Sequence, residues 1–351
     1  MKKALLFAVL LGLIGSLAFA QSAGTLTWNG YVDNGALITN QGSTTNLTAY
    51  GTDSWTAGRL QLEGKYTADT YGWAFRLRDD GPWAGSTAGQ PLYLKRAWGW
   101  VNLLNGMVNV QAGRLGDYSI STNQWQSFGN FDGSTGVLAK VMPVKGATIG
   151  VFLPTWNSGT ATDTLSNAFS ALVFGGSYSS DMLYAAAGYN LGSKTAWLGL
   201  TYSGMKDLTA YLESSDSFGT TSSYYLDEYV SYAMGNMAIG TYAEQQFGGT
   251  NFLMHFSPQF TYTMDKVVLG LRGDFATDSV SNGYGVGAYA KVNVASSAWL
   301  TFGAGYDGGT AAPPDASQTV FDPLYGPQSS GAFGTQANAL TRVFIDLGTK
   351  F

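Results

Sequence analysis

Apolar and polar residues alternate over the last ten positions of the chain. Val343, Ile345, Leu347, Thr349 and Phe351 fall on one face of an extended strand, and Arg342, Phe344, Asp346, Gly348 and Lys350 on the other. A period of two puts successive side chains on opposite faces of a sheet. One apolar face backed by a face that carries charges suits a strand with lipid on one side and a polar lumen on the other.

The same period recurs along the sequence. Strands are predicted at 24–33, 55–67, 70–79, 92–103, 106–115, 134–143, 146–154, 169–178, 182–190, 194–203, 207–213, 223–234, 236–246, 252–264, 267–277, 284–294, 297–306 and 340–351. Each is near the ~9 to 11 residues that a tilted membrane-spanning strand needs, or a little longer. The connections alternate in length. Residues 34–54, 80–91, 116–133, 155–168, 214–222 and 307–339 form long polar gaps, whereas 104–105, 144–145, 179–181, 235, 265–266 and 295–296 are tight turns. Long connections on one side and short ones on the other put both termini in the periplasm and require an even strand number. The count is 18, or 16 if hairpins are overcounted. The expected fold class is all-β: a transmembrane antiparallel β-barrel of 16 to 18 strands, with short periplasmic turns and long external loops.

The N-terminus adds a destination. Lys2 and Lys3 precede an apolar run from Ala4 to Ile14, and Ala18-Phe19-Ala20 is a small-x-small cleavage site. This reads as a secretory signal peptide over 1–20, followed by one barrel domain over 21–351. No cysteine follows the cleavage site to carry a lipid anchor. Beyond Gln21 no run reaches the ~18 apolar residues of a membrane helix. An exported chain that spans a bilayer without such helices is left with a closed barrel, since only helices and closed barrels pair every backbone group in lipid. The expected location is the outer membrane, with its lipid as a partner.

Composition agrees. Aromatic residues make up 14% of the chain, charged residues only 12%, and mean hydropathy is zero. Tyr, Trp and Phe supply the girdles at the two lipid interfaces. A net charge of −5 argues against a nucleic-acid partner. One histidine and no cysteine leave no transition-metal site, and no cofactor is implied. The aspartates 307, 315 and 322 match no calcium-loop spacing and read as solvated loop charges, as do Asp53, Asp79, Asp80, Asp227 and Glu228.

The lumenal face is where chemistry can sit. In 59–66 the polar set is Arg59, Gln61, Glu63 and Lys65, and the lipid set is Leu60, Leu62 and Tyr66. In 71–78, Tyr71, Trp73, Phe75 and Leu77 face lipid while Arg76 and Arg78 point inward. A basic residue at mid-bilayer on the lipid face costs about 2–4 kcal/mol, which fixes the parity. Arg59, Lys65, Arg76 and Arg78 then share one stretch of inner wall beside Glu63. Such a wall sets the field felt by permeating ions.

Three motifs carry a resemblance: Ala57-Gly58-Arg59-Leu60-Gln61-Leu62-Glu63-Gly64, Lys95-Arg96-Ala97-Trp98-Gly99-Trp100-Val101, and Gly106-Met107-Val108-Asn109-Val110-Gln111-Ala112-Gly113-Arg114. Together they make residues 55–132 resemble the N-terminal third of general diffusion porins of Gram-negative outer membranes. The resemblance implies a channel for small hydrophilic solutes and ions and a homotrimer. It places Arg59 and Arg114 on the basic half of a constriction, and an inserted loop over 115–133 with Asp117 and Asp132 as its carboxylates. Separately, the terminal Phe351 after an alternating strand resembles the signal that bacterial barrel-assembly machinery reads. The chain departs from the family in lacking a Pro-Glu-Phe-Gly-like loop tip, with Gln126-Ser127-Phe128-Gly129 near that position, and in counting 18 strands against 16. Arg114 shares the parity of Val108, Val110 and Ala112, so either the chain bends inward at Gly113, as the resemblance implies, or Arg114 lies above the membrane band; the bend is the favoured expectation.

Other readings predict different chemistry. A structural or adhesive barrel would use its external loops to bind a partner. An outer-membrane hydrolase would need His255, which shares a predicted inner face with Ser257 while Phe252, Met254, Phe256 and Phe260 face lipid. Tyr224, Tyr225 and Trp125 could stack on sugars, or simply belong to the girdles. The expected protein is a non-enzymatic porin.

Overall fold

The computed structural model describes residues 24–41, 43–50, 59–79, 92–115, 135–156, 169–218, 222–248, 252–278, 282–310 and 340–351. They form nineteen antiparallel strands: β1 (Thr25–Gln41), β2 (Thr44–Tyr50), β3 (Arg59–Thr67), β4 (Tyr71–Asp79), β5 (Tyr93–Leu103), β6 (Val108–Arg114), β7 (Thr135–Val141), β8 (Ala147–Trp156), β9 (Val173–Ser179), β10 (Leu183–Asn190), β11 (Thr195–Tyr202), β12 (Leu208–Ser217), β13 (Ser223–Met234), β14 (Met237–Gly248), β15 (Leu253–Met264), β16 (Val267–Asp278), β17 (Asn282–Ala295), β18 (Ala298–Gly309) and β19 (Leu340–Lys350).

β1 pairs with β2, each strand from β3 onward pairs with the next, and β19 closes the sheet on β1 from Tyr31↔Lys350 to Gln41↔Leu340. The ladder continues to the last residue, where Gly30 and Phe351 exchange backbone hydrogen bonds of 2.9 Å in both directions. The other edge of β1 is shared by two strands: β3 pairs with 25–33 and β2 with 35–41. β2 and β3 therefore occupy one position of the wall, and 19 − 1 leaves an 18-stranded closed barrel.

Three connections differ from expectation. Residues 34–54 were expected to be a loop, but β1 runs on to Gln41 and returns as β2. This stretch is rich in Thr, Asn and Gly, so the apolar alternation that marks a lipid-facing strand fades although the ladder continues. The 214–222 gap shrinks in the same way because β12 reaches Ser217, and Asp307 belongs to β18. The short turns fall where predicted. Leu104, Asn105 and Gly106, with φ of 51°, 55° and 85°, make three successive positive-φ positions of a tight hairpin closed by the pair Leu103↔Val108.

The outer face is a belt of exposed apolar side chains. Leu26 and Trp28 on β1, Ile149 and Val151 on β8, Leu269, Leu271 and Phe275 on β16 and Ile345 and Leu347 on β19 are examples. Aromatic contacts run along it: Trp28–Phe75 at 5.7 Å edge-on, Trp73–Phe75 at 6.0 Å stacked and Tyr66–Trp73 at 6.1 Å stacked. A belt of this size is stable only against hydrocarbon or another apolar surface. Among the described residues no helix is long and apolar enough to cross a membrane.

Candidate functional site: the lumenal wall

The inner face of the barrel falls into sectors of different chemistry. On β3–β5 it is basic. Arg59, Lys65, Arg76, Arg78 and Arg96 lie on one side of the ladder, through the pairings Gln61↔Arg78, Glu63↔Arg76, Lys65↔Ala74 and Arg76↔Arg96. Arg76 donates to Glu63 Oε2 from Nε at 2.7 Å, with Nη2 at 2.6 Å from the same oxygen. Arg59 Nη1 donates to Tyr31 Oη at 2.9 Å. The Lys65 ammonium stands 5.7 Å from the Trp100 ring centroid, within cation–π reach. Arg96 is buried and joins this sector through the regular register that runs from Gly72↔Trp100 through Ala74↔Trp98; beyond it a bulge shifts the pairing to Leu77↔Leu94 and Arg78↔Tyr93.

The next sector is apolar toward the external end, whereas Asn109, Gln111 and Lys140 line it toward the periplasmic end. Leu115, Leu138, Phe152 and Val173 are buried together, with Trp98 and Trp197 packed against them. On β12–β14 the wall turns acidic and tyrosine-rich. The rows Tyr211↔Tyr229↔Tyr242 and Glu213↔Asp227↔Glu244 stand one above the other. Tyr211 donates to Glu213. The Tyr242 hydroxyl lies 2.6 Å from Asp227 Oδ1 and 3.5 Å from Glu244 Oε2. All six side chains are buried, and no cation shares the inner face of these three strands. On β15–β16 charges are matched. Arg272 donates to Asp274 Oδ1 at 2.9 and 2.7 Å, and His255 Nε2 sits 3.1 Å from the same oxygen.

The basic and acidic sectors oppose each other. β3 holds the second and β12 the eleventh of 18 wall positions, and 11 − 2 = 9 is half the circumference. Strands 4.8 Å apart and tilted near 40° make an 18-stranded barrel roughly 35 Å across between backbones. Side chains reduce the gap between the two charged walls to roughly 20 Å. Across that distance in water two unit charges interact by only about 0.2 kcal/mol, and salt weakens this further. Each wall therefore acts mainly on what passes close to it.

Most predicted pore-lining residues come together: Arg59, Glu63, Lys65, Arg76 and Arg78 share one wall. Arg114 does not join them. The ladder runs unbroken through Gly113 and Arg114, with partners Trp98 and Ala97 on β5 and Gly136 and Thr135 on β7. Arg114 is exposed on the outer parity, donating from Nη1 to the Leu94 carbonyl at 3.1 Å. The inward bend expected at Gly113 is absent, and the buried Leu115 turns inward instead. Asp117, Asp132 and the rest of the predicted constriction loop lie outside the described residues.

The acidic wall was not anticipated. Asp227 and Glu228 were read as loop charges, yet both lie within β13. The alternation of Tyr225, Asp227 and Tyr229 against Leu226, Glu228 and Val230 was the available signal. It was hard to read because the outer set contains a carboxylate. His255 and Ser257 face inward as expected and are fully buried. Tyr224 belongs to the outer face, 6.0 Å from Phe247, whereas Tyr225 belongs to the lumen.

No family model matches the sequence. No curated protein matches it either. Solved structures match over nearly the whole barrel. An anion-selective porin from Comamonas acidovorans covers 93% of this chain and 100% of its own, at 14% identity and a TM-score of 0.59. OccK2 of Pseudomonas aeruginosa covers 93% and 98%, at 9% identity and 0.61. The outer membrane protein OmpT of Vibrio cholerae, in a trimer form, covers 94% and 100%, at 15% identity and 0.52. The chain has the fold of an outer-membrane porin. Identities this low speak to the fold alone, and the charges on the wall are this chain's own.

Proposed function

We propose that the protein is a porin of the outer membrane: a water-filled channel through which small hydrophilic solutes and ions diffuse without chemical change. The observation that carries this reading is the pair of opposed walls, basic on β3–β5 and acidic on β12–β14, inside an 18-stranded barrel. Barrels of 16 to 18 strands enclose an aqueous channel, and charged inner walls set which ions enter it. Because each wall acts at short range, anions follow Arg59, Lys65 and Arg76, and cations follow the Glu213–Asp227–Glu244 row. The net preference is set by whichever lane is narrower. In this reading Asp117 and Asp132 contribute from the loop after β6.

Residues 1–20 are removed on export, and the assembly machinery recognises the last strand through Phe351. Assembly as a trimer is implied by the porin resemblance and agrees with the trimer form of the Vibrio cholerae neighbour. The complete burial of His255, held against Asp274, supports a structural role for that side chain rather than hydrolysis.

The test is single-channel recording of the mature protein in a planar bilayer under a salt gradient. Stable conductance steps are expected, with a reversal potential that moves toward cation preference when Arg59 and Arg76 are both replaced by Ser. A correctly folded barrel that stays silent would overturn the channel and leave an adhesive or structural role for the external loops.

A further inference from the structure

The inner wall carries a further cluster near its periplasmic end, below the arginines of β3–β5. Trp100 and Asn102 are the last inward residues of β5, Asn109 and Gln111 the first of β6, and Lys140 the last of β7. Lys65, two residues from the end of β3, approaches from the other side. The Trp100 indole lies across Gly72 of β4, where an added Cβ would sit 2.1 Å from its Cζ2 and 2.5 Å from its Cε2. The ring is held against the wall, half-exposed, with the Lys65 ammonium 5.7 Å from its centroid.

A chain of amides runs between the indole and Lys140. Gln111 Nε2 donates to Asn109 Oδ1 at 2.8 Å, and Asn109 Nδ2 donates to Asn102 Oδ1 at 2.7 Å. The chain leaves a donor at one end, Asn102 Nδ2, and an acceptor at the other, Gln111 Oε1. Neither has a further partner among the described residues. Lys140 is half-buried and has no hydrogen bond or ion pair among the described residues. No carboxylate shares the inner face of the strands from β5 to β11. A half-buried ammonium without a counter-charge favours an anion beside it.

We propose that this cluster is a binding subsite for a free nucleoside monophosphate on its way from the lumen to the periplasm. The proposal rests on the porin reading, because the ligand reaches the site through the lumen. The order of groups along the wall carries it. Gly72, under the indole, and Lys140 are three strands apart, roughly 14 Å at 4.8 Å per strand, and the lysine's own reach shortens the gap to roughly 10 Å. The amides lie in that gap. A flat ring at one end, an anion at the other and hydroxyls between them is the plan of a 5′-nucleotide. The base stacks on Trp100, the ribose meets Asn102 and Gln111, and the phosphate meets Lys140. Aromatic faces stack any base, and the Lys65 ammonium at the ring is placed to donate to an acceptor on the base edge. A solute with its charge directly on a ring would hold that charge beside the indole and leave the amides and Lys140 unused.

Binding can be measured without conduction. The mature barrel in detergent micelles is titrated calorimetrically with adenosine 5′-monophosphate. Saturable binding is expected, about tenfold or more tighter than that of adenosine, inorganic phosphate or benzoate. Trp100→Ala and Lys140→Gln should each weaken it about tenfold, in barrels that keep the compact gel mobility of the folded state. Lys266→Gln, in the turn between β15 and β16 on the far side of the barrel, should leave it unchanged. Three results would overturn the proposal: no binding by a folded barrel, the nucleotide held no tighter than phosphate or benzoate, or an affinity indifferent to either substitution. A barrel that conducts yet fails to bind the nucleotide would lose the subsite and keep the porin reading. A silent barrel that binds it would lose the porin reading alone.

Discussion

Asp227 and Glu228 are consecutive residues on opposite sides of the barrel wall. Asp227 is buried in the lumen, where Tyr242 donates to it at 2.6 Å, and Glu228 stands in the outer belt. The same charge change at the two positions should therefore have separate effects. An ion passing about 5 Å from a lone charge in water feels about 0.8 kcal/mol, close to a fourfold change in local concentration. Asp227→Asn should move selectivity toward anions by up to that factor. Glu228→Gln should leave the reversal potential where it was. A matched shift in both would mean that they share one side.

The Arg76–Glu63 pair makes a prediction of opposite sign on the basic wall. Glu63 is the carboxylate bonded to the Arg76 guanidinium, with side-chain exposures of 14% and 21%. The pair is part-buried on the inner wall, and Gln in place of Glu63 keeps an oxygen for Arg76 to donate to, so no buried donor is orphaned by the substitution. Glu63→Gln should barely move the unfolding midpoint in denaturant. It should raise anion preference, because Arg76 then presents its full charge to the lumen. Reversal potentials in a salt gradient, with and without the substitution, decide this.

The tyrosine hydroxyls of the acidic wall should matter for stability. Tyr242 lies against both Asp227 and Glu244, with the His255 ring edge-on at 5.9 Å. Removing one hydroxyl leaves buried carboxylate oxygens short of a donor, which costs about 1–3 kcal/mol. Tyr242→Phe should lower unfolding stability by that amount, measured by the gel shift of heated samples against denaturant. Phe in place of the outward Tyr232 should cost far less, since among the described residues no hydrogen bond ties its hydroxyl to the wall.

How legible this protein was in its sequence depends on where the period of two holds. The strands from β12 to β19 have one face against lipid over most of their length, and their predicted limits fall within a few residues of the observed ones. The upper part of β1 and all of β2 lack the apolar signature, so a hairpin was read as a loop although its ladder is complete. The basic wall was legible because Arg76 and Arg78 alternate with Trp73, Phe75 and Leu77. The acidic wall was not, because Glu228 puts a charge in the lipid set beside Asp227 in the lumenal one.

Arg114 shows where parity and resemblance disagree, and it gives a sharp test. Gly113 has φ of +125°, and a Cβ there would sit 2.4 Å from the Ala97 carbonyl oxygen, so only glycine fits. That conformation does not turn the strand inward: Gly113 and Arg114 keep their partners on both neighbouring strands. Arg114 ends on the outer side near the external rim, where a guanidinium stays solvated. Arg59, bonded to Tyr31 on the inner wall, is placed to act on permeating ions. Arg59→Ser should move selectivity toward cations, by up to about fourfold on the same Coulomb estimate. Arg114→Ser should leave selectivity unchanged. If Arg114→Ser shifted the reversal potential as far as Arg59→Ser, its side chain would have to reach the lumen, and the register of β6 would be wrong. Gly113→Val should prevent most of the barrel from reaching its compact form, because it adds a clash with β5 to a backbone conformation that L-residues rarely adopt.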